Sequence, residues 1–445
     1  MHGPDNMKKD MRRLAMPRLP EAIHRLQGRQ WRIFRLTSSP VFVVTSIWLV
    51  AILVYAIAES AGGSWSYFQF LVASENLIDG SSAESFFWLG LAWLAFVLGT
   101  VLVQLNATPV LMPADDIDDR RLVRATLITF AFTLMIAFLW VGVAIIDFGG
   151  LGQLAALAAS ENTRAREVIL SASFPGGRLV SSGFMGLAVF SITQLAKGGS
   201  TSGGTRRRFM LRLVFIVSMI YLALIPILIS GRIIFFVACI GAFVAASNVA
   251  RRPVGLMYIS LGAVSLIAVW TAKQYFSLAH VVTATAVAEA SVAEQGWQGI
   301  VFYFYNDLLN AVNTIGKFEG YYTYGWYSLR FVFYMTFTNR FFSQEIADSL
   351  AYIAPLVPAG EVPLLSAPFV DFGVFGLIVL FLMGAYCQHV YHSSIRHTSH
   401  AALYGILFAG LLMSVHSSFI TSQEVVYNLI LIYLLARWSR PRKRR

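Results

Sequence analysis

Residues 40–59, PVFVVTSIWLVAILVYAIAE, run for twenty positions with one charge, Glu59, at the far end. A stretch that long and that apolar is what crossing about 30 Å of hydrocarbon requires. Inside lipid the backbone must satisfy its own polar groups, which leaves helices and closed barrels as the only spanning structures. Ten stretches of this kind are legible, at about 40–59, 86–105, 124–147, 178–197, 209–229, 232–249, 254–272, 366–390, 401–420 and 425–436. Composition agrees, since 57% of the 445 residues are hydrophobic and only 13% are charged, against about one quarter in soluble domains. The expectation is an all-α polytopic integral membrane protein with about ten transmembrane helices. The first apolar run is full length and follows a basic segment, so no cleaved leader is expected.

Charge sorts the two ends of these helices. With both termini on one side, that face holds 26 of the 34 lysines and arginines but only 7 of the 23 acids. The positive-inside rule makes it the cytoplasmic face. The net charge of +11 therefore reads as topology and attraction to anionic lipid, not as a nucleic-acid footprint, for no recognition fold accompanies it. The resulting organisation is a basic cytoplasmic segment (1–38), seven transmembrane helices (39–272), an extracytoplasmic loop (273–365), three more helices (366–436) and a basic tail (437–445). Cys239 and Cys387 both fall in apolar runs and support neither a disulfide framework nor a zinc site. His389, His392, His397 and His400 have metal-like spacing, but no carboxylate joins them.

The topology isolates eight basic residues on the outer face: Arg164, Arg166, Arg178, Arg232, Lys273, Lys317, Arg330 and Arg340. Among them Arg232 sits in ILISGRIIFF, a Ser230-Gly231-Arg232 turn between two apolar runs. It is either an anchor reaching headgroups or a functional cation recessed at the outer end of a hairpin. The outer loop is 93 residues long and aromatic, with YFYN, GYYTYGWYSLRFVFY and FF. Such rings line the lipid–water interface, and they also stack on the C–H faces of pyranoses; both readings stand at this point. Within the loop, 299–316 predicts a helix lying in or dipping into the outer interface. Tyr303, Asn306, Asp307, Asn310, Asn313 and Thr314 form its one polar face.

Three acid–base candidates remain near the outer face. Asp371 stands in APFVDFGVFG at the entry of a span whose Gly373, Gly376 and Gly384 would allow close helix packing. His416 and Glu424 flank the turn HSSFITSQE between the last two spans. A histidine there is more often a satisfied polar group, and it is the natural general base where an acceptor hydroxyl comes near it. The two DFG triplets lack the nucleotide loops of a kinase, and no G-x-S-x-G, H-E-x-x-H or P-loop is present.

The SGR turn opening a span, the long extracytoplasmic loop two spans later and the APFVDFGVFG entry together resemble the bacterial O-antigen polymerase family. These oligosaccharide repeat unit polymerases belong to the O-antigen ligase-like superfamily, and the likeness covers about 178–435. It implies a metal- and nucleotide-independent glycosyltransferase without cofactor, in the bacterial inner membrane, with its active face extracytoplasmic. Donor and acceptor would be polyprenyl-diphosphate-linked oligosaccharides, with a flippase and a chain-length regulator as pathway partners. The resemblance matches Arg232, with Ser230 and Gly231, to the donor diphosphate; topology adds Arg178 and Arg330. Tyr303, Asn306, Asp307 and Asn310 are expected to contact glycan, and Asp371, His416 and Glu424 to serve catalysis. An O-antigen ligase would look much the same, and a flippase for lipid-linked sugars is the alternative from another class. The topology is tested by a reporter fused after Gly320, expected to be active outside, and one fused after Arg445, expected inside. A cytoplasmic signal at Gly320 would remove the outer-loop reading.

Overall fold

The computed structural model describes residues 29–75, 77, 79–106, 118–153, 176–197, 204–229, 232–253, 291–316, 322–336, 338–357 and 361–441. The expected span at 254–272, Ser230, Gly231 and most of the two basic termini lie outside the described residues. Among the described residues the chain is helical and has no strand.

The helices begin where capping chemistry allows. Ser39 caps α1 (Pro40–Ala61), whose proline occupies the first turn, where a missing N–H costs nothing. A short α2 (Ser66–Ser74), absent from the expected spans, follows it. Ser82 caps α3 (Ala83–Leu105) by accepting from the Ser85 amide, and Asp118 accepts from Arg120 and Arg121 at the head of α4 (Asp119–Asp147). The expected span at 178–197 is broken at Ser182 into α5 (Gly177–Ser181) and α6 (Gly183–Ala196). Next come α7 (Gly204–Ile229) and α8 (Arg232–Ala250). The outer loop holds α9 (Val292–Gly316), α10 (Arg330–Met335) and α11 (Ser343–Ile353), and α12 (Ala367–Phe372), α13 (Gly376–Ser394), α14 (Thr398–Leu412) and α15 (Gln423–Trp438) follow it. Among the described residues five stretches are long and apolar enough to cross a membrane: Pro40–Ser64, Ala83–Leu105, Asp119–Asp147, Gly177–Ala196 and Ala367–Ser394. Ile234–Ala250 and Thr398–Leu412 are shorter apolar helices.

One expected span is corrected. The run 401–420 stops being helical at Leu412. There Ser414 and Ser418 turn their backbone to a neighbouring segment, with Leu364 N–H donating to Ser414 O at 2.8 Å and Ser418 N–H donating to Val362 O at 3.0 Å. Hydrogen bonds outside the helix replace those within it.

The outer-loop helix starts earlier than expected. It is α9 (Val292–Gly316), and its head is a capping box: Glu294 accepts from the Ser291 amide at 2.7 Å while Ser291 Oγ accepts from the Glu294 amide at 3.3 Å. Near one end Trp297 packs on Trp65 and Gln298 accepts from the Phe68 amide; midway Tyr305 stacks on Tyr55 and donates to Glu59. At the other end Asn313 accepts from the Gly80 amide at 2.7 Å. These partners all belong to the end of α1, α2 and the approach to α3, so α9 lies across that one end of the bundle.

Small residues set the helix spacing. A Cβ on Gly384 of α13 would overlap the Phe96 carbonyl of α3, and one on Gly99 would overlap the Phe381 carbonyl in return. Gly241 and Gly405 join α8 to α14 in the same reciprocal way. Backbones thus approach where lipid offers no hydrophobic drive for association.

A buried asparagine repairs the break at Ser182. Asn428 of α15 accepts from the Gly186 amide at 2.7 Å and donates to the Ser182 carbonyl at 3.1 Å and the Glu424 carbonyl at 2.7 Å. It supplies from another helix the cap that α6 lacks locally.

Gly384→Ala is expected to lower the thermal midpoint in detergent, by an overpacking cost of about 1–3 kcal/mol. Gly90→Ala, where nothing lies within 4 Å of the added methyl, should leave the midpoint unchanged or raise it slightly, through better helix propensity. Equal responses would contradict the packing.

Candidate functional site

The end of the bundle under α9 gathers the polar chemistry. Its foundation is Asp371. Helix α12 is six residues long and ends at Gly373, whose φ of +54° favours glycine. This leaves the Asp371 side chain fully buried beside the loop 323–328. Asp371 Oδ1 accepts from Thr323 Oγ at 2.5 Å, from the Gly325 amide at 3.0 Å and from the Tyr327 amide at 3.1 Å; Oδ2 accepts from the Ser328 amide at 2.9 Å. Hydrogen bonds to a charged acceptor contribute about 1.5–3 kcal/mol each, so four of them offset a desolvation cost of several kcal/mol. Gly373 adds a second fit, since a Cβ there would collide with the Tyr322 ring. The sequence placed Asp371 at the chemistry; the structure gives its oxygens to the loop, so its part is positioning.

The loop so held carries Tyr327 and Arg330. The Arg330 guanidinium lies 4.7 Å from the centre of the Tyr327 ring. Burial pushes the Tyr327 phenol up to about 12, and the nearby charges of Arg330 and Glu361 act on it in opposite directions. Tyr327 also belongs to a small apolar core with Ile353, Val357, Val362, Ala367 and Val370, which seats the loop on the bundle.

Opposite stands His416, in the turn after α14. Its Nδ1 lies 3.0 and 3.1 Å from the two carboxylate oxygens of Asp307 on α9. Asp307 has 7% of its side chain exposed and His416 has 23%, so the carboxylate is enclosed and the imidazole is open on one side. Tyr303, one helical turn before Asp307, places its ring 6.3 Å from the imidazole. Burial alone would lower the His416 pKa. The hydrogen bond and charge of Asp307, with the charge of Glu361, outweigh it, and the pKa rises above its ordinary value. The carboxylate at Nδ1 makes that nitrogen the donor, leaving the Nε2 lone pair for a proton when the ring is neutral.

The remaining candidates divide. Asn306 and Asn310 are buried on α9 near Asp307. The Glu424 carboxylate pairs with Arg178 at 2.9 Å, as an ion pair without hydrogen-bond alignment, at the head of α15 beside the Asn428 network. That pairing occupies both Glu424 and Arg178. The Arg232 side chain, like Ser230 and Gly231, lies outside the described residues, although α8 begins at Arg232. Among the described residues no group of three or more His, Cys, Asp or Glu is placed to hold a metal ion.

Sequence reasoning missed Glu361, Thr323 and Asn428. Glu361 opens the EVPLLSAPFVDFG segment whose backbone pairs with the His416 turn, and its acidity just ahead of a proline-rich loop was the available signal. No protein-family model, curated protein or solved structure matches the chain.

Asp371→Ala should speed amide exchange at Gly325, Tyr327 and Ser328 by about 10- to 150-fold, the equivalent of one charge-assisted hydrogen bond per amide. Unchanged protection at all three would remove Asp371 as the anchor.

Proposed function

We propose that this chain is a membrane glycosyltransferase that joins polyprenyl-diphosphate-linked oligosaccharides on the extracytoplasmic face of a bacterial inner membrane. One observation carries the reading: an enclosed carboxylate, Asp307, orients a half-open imidazole, His416, beneath an aromatic outer loop. The same end of the bundle holds Glu361 and Arg330, while Arg35, Arg121 and Arg440 lie among the contacts of the opposite end. This distribution supports the charge-based topology, with the dyad outside.

In this reaction the acceptor sugar hydroxyl loses its proton to His416 Nε2. Its oxygen forms the new bond to the donor's anomeric carbon as the bond from that carbon to the diphosphate oxygen breaks, and the electron pair leaves with the polyprenyl diphosphate. Asp307 stabilises the imidazolium that forms. The departing diphosphate needs cations, and arginine suits it through its bidentate fork. Arg330, held over Tyr327 near Glu361, and Arg232 at the head of α8 take this part. Arg178, paired with Glu424, does not.

His416→Ala is expected to reduce polymer formation from purified lipid-linked units by about 10²- to 10⁴-fold, the usual contribution of a general base. A finer test uses pH. With its pKa raised by Asp307, His416 loses its basic form as pH falls through a value above the ordinary 6.5 or so. Asp307→Asn removes that support, so the acid limb of the residual activity should move to lower pH. A limb that stays in place, or a His416→Ala variant of wild-type rate, would overturn the assignment.

A further inference from the structure

The loop that Asp371 holds contains a conformation that its sequence resists. Thr323 to Trp326 forms a tight turn closed by the Trp326 amide donating to the Thr323 carbonyl at 2.9 Å. Its two central residues have φ of +49° at Tyr324 and +94° at Gly325. Two positive φ values in succession define a turn normally built from Asn-Gly, Asp-Gly or Gly-Gly. Gly325 fits that requirement. Tyr324 does not, because a bulky side chain in the left-handed region is an outlier that persists only where its surroundings enforce it. The enforcement is visible: the Tyr324 amide donates to the Asp371 carbonyl at 3.0 Å, and the Asp371 carboxylate holds the residues on either side.

The ring itself contributes little to the fold. Tyr324 is 76% exposed. Its ring meets Tyr322, at 6.4 Å between centres and 81° between planes, and Tyr322 is seated against Gly373. A chain that needed only the turn would place Asn or Gly at 324. Here a costly backbone state is used to hold an aromatic face outward, with a second ring as a perpendicular wall. Three residues further on, Tyr327 meets the Arg330 and Glu361 charges.

We propose that Tyr324 is a pre-set stacking platform for a pyranose ring of the glycan, with Tyr322 as its side wall. The face of a phenol ring attracts the weakly positive C–H face of a sugar, and the hydroxyl at its rim suits a hydrated ligand. Fixing the ring before binding removes the ordering cost that a mobile aromatic would incur. The Arg330 and Glu361 charges nearby favour a sugar over lipid as the occupant. The proposal rests on the glycosyltransferase reading for its ligand, but not on His416.

The test uses full-length protein in nanodiscs and the oligosaccharide released by mild acid from the lipid-linked pool of the source cells, with binding read by calorimetry. Tyr324→Asn suits the left-handed backbone and removes the ring; Tyr324→Phe keeps the ring. Loss of one stacked ring should weaken binding about 3- to 10-fold in Tyr324→Asn, while its thermal midpoint holds or rises. Tyr324→Phe should bind within about twofold of wild type and remain no more stable than it. Wild-type affinity in Tyr324→Asn overturns the platform, whatever the polymerase assay gives. A lowered midpoint in Tyr324→Asn also overturns it, because the ring would then be part of the fold or of its seat in lipid. Conversely, ring-dependent binding in a protein whose His416→Ala variant polymerises normally would leave the platform standing and remove the catalytic assignment.

Discussion

A carboxylate buried without partners would destabilise this protein; buried with four donors, Asp371 organises one end of it. The loop 323–328 has no helix or strand to absorb its amides, and one side chain takes three of the six together with the Thr323 hydroxyl. Because Asp371 belongs to α12, directly before α13, the loop is indexed to a helix that packs closely on α3 through Gly99 and Gly384. Tyr327, Arg330 and the positive-φ turn inherit their positions from that one anchor. The two aromatic and glycine-rich motifs that look independent in the sequence are two halves of a single contact.

The second organising element is α9, which lies across the bundle end and supplies Asp307 to a histidine more than one hundred residues away. A histidine on a surface turn would titrate near its ordinary value and point nowhere in particular. Held against an enclosed carboxylate, it has a defined tautomer and greater basicity. The tautomer follows from helix placement alone, and the charge of Glu361 adds to the basicity.

Much of the helical architecture was legible because a membrane leaves few options. The start of α1 was read at Pro40, whereas α3 and α4 begin three and five residues ahead of the apolar runs at 86 and 124, behind the caps Ser82 and Asp118. The polar face of α9 was also readable from its spacing, and its seven additional residues lay in an overlooked Ser291–Glu294 capping box. What the sequence could not give was pairing. Asp307 with His416, Asp371 with the Thr323 loop and Glu424 with Arg178 join residues far apart in the chain. A lone carboxylate near a membrane face looks the same whether it serves chemistry or holds a loop. That ambiguity explains why Asp371, Glu424 and His416 were grouped on sequence and yet each takes a different partner in the structure. The end of α14 was misjudged because the segment at 362–364, not any local breaker, draws the backbone of Ser414 and Ser418 away.

The cap that Asn428 lends to α6 has a consequence for how the chain is made. The amide of Gly186 is satisfied by a residue some 240 positions later, which also adds to the Met185 amide at the Ser182 carbonyl. On a ribosome that emits the N-terminus first, α6 must enter the bilayer with its break unrepaired and wait for nearly the whole remaining chain. Until α15 arrives, that polar gap faces lipid or borrows a temporary partner. The final helix therefore acts as a completion signal. A chain truncated before Asn428 would keep its earlier hydrophobic segments and yet display, at mid-sequence, an exposed defect that membrane quality control can recognise.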